Sequence, residues 1–511
     1  MMKSTKWIAL LLAVLMVLPA VVACGKTEDT PADTTTQNVA ATTTAGSAQT
    51  DAPAQTNKYE IGDELPENLD YKGEELHFYS RGRDWCKDVV DVADLTGEVI
   101  NDAVYNRNAA VEDRLHFKIV DHKDSGTDDY EIVNTLKTHV LAGSSDFDVA
   151  CSATYAMLSG ITQNLFQNML ELEYMDLERP YWSQGINDAV YVGNAQYLAT
   201  GAISLAYYRF IFATFFNKNL FDQHNVPYLY DVVEKGGWTL DYQHEIATGF
   251  YADLNGNNTA DETDRYGFVI NHDRIGVDTY WSSLELPILA KDEDNFFVFA
   301  ANKERMATAV EKLNSLVWDE VASWRVTNHG LDEEQNDLIK FFVEDRAAMV
   351  TLRLIEVEGE EIRNMESKYG IVPVPKLDES QEQYHSHIHD NADGFCIPLT
   401  TVGDKLKMVG AVMEAMASEG YRTLMPAYYE TALKTKYVSD EASVEMLDLV
   451  IENLHVDPGF LYVDGTGEFH QNMRTAWIGK NNSNISSGLN AIDRVIGKQL
   501  EKLNSSIEKI Q

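Results

Sequence analysis

Between residues 76 and 151 the chain alternates short β-type runs with helical ones, and that alternation restricts its topology more than any other feature. Leu76-His77-Phe78-Tyr79-Ser80 reads as a strand, and Val99, Ala103, Val104, Ala110, Val111 and Leu115 then fall at helical spacing. Phe117-Lys118-Ile119-Val120-Asp121 is a second β-type run. Ile132, Leu136 and Leu141 share a helix face that Ala142-Gly143 stops, and Phe147-Asp148-Val149-Ala150-Cys151 is a third strand. Strands joined through helices need right-handed crossovers and pair in parallel, with helices on both faces of the sheet. Ligands of such open sheets sit beyond the carboxyl ends of the strands. The loops to watch are therefore Ser80–Trp85 and Ser152–Tyr155, which carry Arg81, Arg83, Trp85 and Tyr155.

The amino-terminal end places the protein outside the cytoplasm. Lys3 and Lys6 precede an apolar run from Trp7 to Leu18, and small residues follow up to Cys24, the order of a secretory signal. The run is too short for a stable membrane span. Val21-Val22-Ala23-Cys24 resembles the bacterial lipobox, which implies lipid on Cys24 and anchorage at the outer face of a membrane, in a cell with a single membrane of the Gram-positive kind. Residues 26–58 are Thr, Ala, Asp, Gln and Ser with almost no large apolar side chain, too little to offset the entropy of ordering them. The expected organisation is a signal peptide (1–23), a lipidated cysteine and tether (24–58), a first lobe (59–212), a second lobe (213–384), a return to the first lobe (385–430) and a helical region (431–511).

The formal net charge of −40 argues against nucleic-acid binding, which needs clustered Lys and Arg. It also disfavours strongly anionic ligands. Cys86, Cys151 and Cys396 are widely spaced and contain no CxxC pair, so they define neither a disulfide framework nor a zinc site. No nucleophile elbow, P-loop or dinucleotide fingerprint occurs. In Gly370-Ile371-Val372-Pro373-Val374-Pro375 the prolines cannot donate into a ladder, so this segment is an edge or connecting strand.

Several segments, in order, resemble the extracellular solute-binding proteins of family 1, the maltose-binding-protein-like group that serves carbohydrate ABC importers. Phe215-Phe216-Asn217-Lys218-Asn219-Leu220-Phe221 is similar to that family's aromatic-Tyr-Asn-Lys-x-Leu-Phe segment, with Phe216 where Tyr is common. Gly237-Trp238-Thr239-Leu240-Asp241 resembles its Trp-Thr-Trp-Asp-Glu helix start. Phe342 to Met349 resembles its basic residue-Ala-Ala-Met approach to a buried strand, and Tyr369 to Lys376 its Gly-x-x-Pro-x-Pro-Lys return. The stretch from Pro426 onward is similar to a subset of the family. The resemblance implies an α/β, two-lobed periplasmic-binding-protein type II fold, each lobe a mainly parallel sheet flanked by helices. It further implies a monomer that closes on a mono- or oligosaccharide and delivers it to permease subunits, with no catalysis and no required cofactor.

For sugar capture the useful groups are aromatic rings, which stack on apolar pyranose faces, and Asp, Asn and Arg, which bond hydroxyls directionally. The candidates are Tyr79, Arg83, Trp85 and Tyr155 from the first lobe, Trp281 from the second, and Asp390, Asn391 and Tyr428 near the crossings. Trp238, at a helix start, is assigned to structure. Asp253, Asn255, Asn257, Thr259, Asp261 and Asp264 stand at the oxygen-ligand positions of a calcium loop, although Asn258 occupies the usual Gly position and Asp264 replaces the bidentate Glu. The alternative is an Asx-rich turn. His385-Ser386-His387-Ile388-His389-Asp390 puts three histidines on one face of an extended run, a metal cluster or a cleft-lining segment. An exported glycosidase using two of the 81 acidic residues, and a sensor lipoprotein of the same fold, are the rival functions.

Overall fold

The computed structural model describes residues 58–83, 86, 89–272, 275–326, 331–437 and 440–510, all within one compact unit spanning Thr56–Gln511. The expected signal peptide, Cys24, the tether up to residue 57 and Trp85 lie outside the described residues.

The first sheet grows from the alternation described above. Strands β1 (Glu74–Arg81), β2 (Phe117–Asp124) and β3 (Val149–Ala153) are parallel, with β1 in the middle. Register pairs Leu76 with Ile119 and Phe78 with both Asp121 and Val149. Leu76, Phe78 and Val149 are fully buried, and burial of each such side chain is worth about 1.5–3 kcal/mol. Helix Val99–Leu115 makes the β1–β2 crossover and stops at His116 in the left-handed conformation; helix Tyr130–Ala142 makes the next and stops at Gly143, φ +68°. Both helices form where the periodicity expects them, but Leu141, expected on one face with Ile132 and Leu136, is 77% exposed, because nine residues at 3.6 per turn bring it to the side opposite Ile132.

The chain then passes through the short helix Ala206–Arg209 into β4 (Phe212–Asn217), which opens a second sheet. Asn217 caps the following helix, its side chain accepting from Leu220 N at 3.0 Å, which explains why Asn stands in that motif. Thr239 does the same for helix Leu240–Thr248. Beside it the fully buried Trp238 donates Nε1–H to Pro373 O at 2.8 Å, a structural role as expected. After β5 (Tyr266–Ile270) come a hairpin, β6 (Leu289–Lys291) with β7 (Phe297–Phe299), and then β8 (Ser323–Arg325), β9 (Ala347–Arg353) and β10 (Tyr369–Val372). The sheet order is β10-β4-β9-β5-β8. It is mixed: β5 is parallel to β8 and β9, whereas β4 is antiparallel to β9 and β10. Strand β10 is an edge and ends just before Pro373, as the missing N–H groups require. Strand β11 (Asp393–Cys396) then joins the first sheet, antiparallel to β3.

Three extended segments run side by side where the chain moves between the sheets. Phe212 N bonds His387 O and His389 N bonds Phe210 O, both at 3.0 Å, so the outgoing and returning segments pair antiparallel. Ser386 N bonds Asn453 O at 3.0 Å and His455 N bonds Ser386 O at 2.9 Å, which adds the third. A narrow ribbon of this kind couples two sheets while leaving them able to hinge. The last hundred residues are helical, with helix Ser486–Glu508 burying Leu489, Ile496, Leu500, Leu503 and Ile507 along one stripe. No helix among the described residues is long and apolar enough to cross a membrane.

Candidate functional site

A cavity of about 510 Å³ opens at the carboxyl ends of β1, β2 and β3. One wall comes from the first sheet: Arg83 after β1, Thr127, Asp128, Asp129 and Tyr130 after β2, and Tyr155 after β3, with Asp390 and Asn391 from the return segment. The facing wall comes from Asp278 on helix Ile275–Ser283, which follows β5, and from Val463, Glu468, His470, Gln471 and Arg474 of the helical region.

Asp129 organises the first wall. It sits just ahead of helix Tyr130–Ala142, only 6% of its side chain is exposed, and three donors converge on it. Arg81 Nη1 reaches Oδ1 at 3.2 Å, Arg83 makes an ion pair with the same oxygen, and Tyr155 O–H donates to Oδ2 at 2.9 Å. Arg81 is itself buried and also donates to Asn391 Oδ1 at 2.5 Å, to Asn391 O at 3.0 Å and to Asp393. Burial opposes its charge, but Asp393 and Asp129 outweigh that and hold the guanidinium above its ordinary pKa. The clamp fixes three loops of the first sheet to one another. Tyr130 and Tyr155, both half-buried on the wall, meet edge to face at 5.4 Å.

Across the cavity Asp278 pairs with Arg474. Asp278 Oδ1 and Arg474 Nε have no hydrogen-bond partner in the protein, and neither do the Nδ1 atoms of His389 and His470. Burial pushes Asp278 up to about 6, with Arg474 holding it back. Burial also pushes Asp390 up to about 7, and the Asp278 and Asp129 carboxylates add to the effect. His470 is driven down to about 3 by burial, and His389 well below the ordinary imidazole value by burial and the cations around it. At neutral pH the wall thus presents carboxylates, with Asp390 about half protonated, two arginines, uncharged imidazoles and two tyrosines, a set suited to bonding many hydroxyls.

Of the residues expected from sequence, Arg83, Tyr155, Asp390 and Asn391 are brought together here. Three others go elsewhere. Tyr79 lies 8% exposed against the Phe147 ring at 4.4 Å and donates to Asp124 Oδ1, because its position in β1 points it under the crossover helix. Trp281 and Tyr428 are fully buried, where large rings usually end. Helix Ile275–Ser283 offers Asp278 to the cavity instead. The loop after β2 obeys the same strand-end rule as the other two and would have yielded Asp129 and Tyr130; His470 and Arg474 carry no comparable signal.

The remaining candidates settle into local networks. In the Asp253–Asp264 loop the carboxylates point inward: Gly256 N and Asn258 N donate to Asp253, Asn255 and Asn257 amides donate to Asp261 Oδ2, and Leu254 N donates to Asp264 Oδ1. Asn258 takes φ +60°, the left-handed conformation usually supplied by Gly. His385 meets Glu285, and His387 Nδ1 meets Ser282 Oγ at 2.9 Å. Among the described residues no group of three or more His, Cys, Asp or Glu side chains is disposed to hold a metal.

No protein-family model matches the chain, and neither does any curated protein. Solved structures do resemble it. The galacto-N-biose/lacto-N-biose I-binding protein of an ABC transporter from Bifidobacterium longum, in complex with lacto-N-biose, is 12% identical with a TM-score of 0.53, covering 86% of this chain and 98% of that one. The ABC substrate-binding protein Lmo0181 from Listeria monocytogenes, in complex with cycloalternan, is 12% identical with a TM-score of 0.51, covering 84% and 99%. A cyclo/maltodextrin-binding protein complexed with maltotetraose is 12% identical with a TM-score of 0.52, covering 86% and 98%. The likeness is one of fold: two α/β lobes of the periplasmic-binding-protein type.

Proposed function

We propose that this chain is the substrate-binding component of an ABC importer, a family 1 extracellular solute-binding protein that captures a mono- or oligosaccharide between its lobes. The observation that carries the reading is the cavity itself: it stands at the carboxyl ends of the first sheet's strands and is faced by Asp278 and Arg474 from the other side. The three-segment ribbon beneath it supports a hinge. A ligand touching both walls favours the closed form by its difference in affinity for the closed and open states. Tyr130 and Tyr155 supply ring faces for pyranose stacking, and the carboxylates, arginines and imidazoles supply directional bonds to hydroxyls. The closed receptor then docks on membrane permease subunits as a monomer, and lipid on Cys24 keeps it at the outer face of the cell membrane. Calcium in the Asp253–Asp264 loop would stiffen the second lobe.

One observation favours a second reading. A carboxyl such as Asp390, pushed up to about 7, has the property a glycosidase needs in its general acid. A thermal-shift screen of sugars, oligosaccharides and peptides, followed by chromatography of each stabilising compound, separates the readings. The receptor reading expects saturable stabilisation by saccharides recovered intact. Cleaved product would establish the enzyme, and stabilisation by peptides alone would overturn the sugar assignment.

A further inference from the structure

The cavity walls carry more negative charge than their own cations neutralise. Asp128, Asp129, Asp278, Asp390 and Glu468 face Arg83 and Arg474. Asp129 is taken up by Arg81 and Arg83, and Asp278 by Arg474. Among the described residues no Lys or Arg forms an ion pair with Asp390; its Oδ1 stands 3.5 Å from His389 Nε2, and burial holds that imidazole's pKa well below its ordinary value. Asp278 is 5% exposed, lines the cavity and leaves Oδ1 unbonded, while His470, 1% exposed and lining the same cavity, leaves Nδ1 unbonded.

Ionising Asp390, whose side chain is only about one-fifth exposed, without a countercharge is unfavourable, and the carboxylates nearby add to the cost. A neutral ligand leaves that cost in place, and an anionic one increases it. A ligand cation removes it, and the net charge of −40 steers cations toward the protein. The half-buried faces of Tyr130 and Tyr155 are attractive to cations as well.

Resting on the receptor reading, we propose that the cleft is selective for an amine-bearing saccharide, with the ligand ammonium placed between Asp390 and Asp278 and its hydroxyls on Arg474, His470 and Tyr155.

The groups facing Asp390 are Asp278 on helix Ile275–Ser283, Arg474 from the helical region, Asp129 ahead of helix Tyr130–Ala142, and His389 on its own segment. An ammonium arriving there draws a proton off Asp390, so binding near pH 6.5 should release protons to the buffer.

Titration calorimetry of the chain without its signal segment tests this with matched probes: glucosamine and its β-1,4-linked dimer, their N-acetyl counterparts, glucose and cellobiose, and glucuronate. The amine forms should bind at least about ten-fold more tightly than their N-acetyl and neutral partners, with glucuronate weakest. The binding heat of the amine forms should vary with buffer ionisation enthalpy near pH 6.5. Asp390→Asn, checked for native circular dichroism, should abolish the preference. Equal or tighter binding of the neutral or N-acetyl forms overturns the amine assignment and leaves the receptor standing; binding of none of the saccharides overturns both.

Discussion

Replacing Asp129 by Asn removes one charge and almost no volume, and the structure says what that should cost. Three donors lose an ionised acceptor: Arg81, Arg83 and the Tyr155 hydroxyl. Hydrogen bonds to charged groups are worth about 1.5–3 kcal/mol each. Arg83 is about one-fifth exposed, so solvent screens its share, and Arg81 keeps Asp393 and the Asn391 carbonyl. The Asn oxygen still accepts one bond, which leaves a net loss of about 2–4 kcal/mol. With an unfolding entropy of about 2.1 cal/mol/K per residue, roughly 450 residues give about 1 kcal/mol/K, so Tm should fall by about 2–4 °C. Differential scanning calorimetry of wild type, Asp129→Asn, Arg83→Met and the double variant reads both the loss and the coupling between the two side chains. A Tm unchanged within about 0.5 °C, or strictly additive single losses, would refute the clamp.

Asp390→Asn should also change how stability depends on pH. The native carboxyl holds its proton up to about 7 whereas the unfolded one releases it near 4, so wild type loses stability relative to the variant as pH rises from about 4 to about 7. Parallel stability curves in urea across that window would contradict the assignment. Buried His387 and His470 work in the opposite sense: their pKa values near 3 mean that the unfolded chain takes up protons first, so stability is lost as pH falls below about 6.5, and His387→Asn should lessen that loss. An acid limb unchanged in the variant would argue against it. Calcium added to chelator-treated protein should give a saturable heat and a rise in Tm, both lost in Asp253→Ala; no heat and no shift would remove the site. Cys24→Ala should leave ligand binding intact and release the receptor to the medium, and retention on the cell would count against the anchor.

Much of the first sheet was legible because its signals are local. Period-two runs and 3.6-period faces are written in consecutive residues, so β1 to β3, helix Val99–Leu115 and the Gly143 stop fall where periodicity puts them. The prolines similarly marked β10 as an edge. Part of one wall followed from the strand-end rule, which gave Arg83 and Tyr155. The rest depends on long-range placement. Asp278 and Trp281 share a helix, and only the packing of that helix decides that the acid faces the cavity and the ring faces the core. His470 and Arg474 lie almost 200 residues from Asp278, and nothing in the sequence announces that they meet. Aromatic residue type favoured Tyr79, Trp281 and Tyr428, but burial is the commoner fate of such rings. The strand-end rule applied to the loop after β2 reaches Asp129 as a lining residue, but its role as the acceptor of three donors exists only in space.

The claim that the two walls close on one saccharide is tested most directly by a crystal structure with the tightest-binding sugar from the thermal-shift screen. The sugar should lie in the 510 Å³ cavity, touching Tyr155 or Arg83 on one side and Asp278 or Arg474 on the other, with its glycosidic bonds intact. A sugar held elsewhere, or by residues of one wall alone, would contradict it.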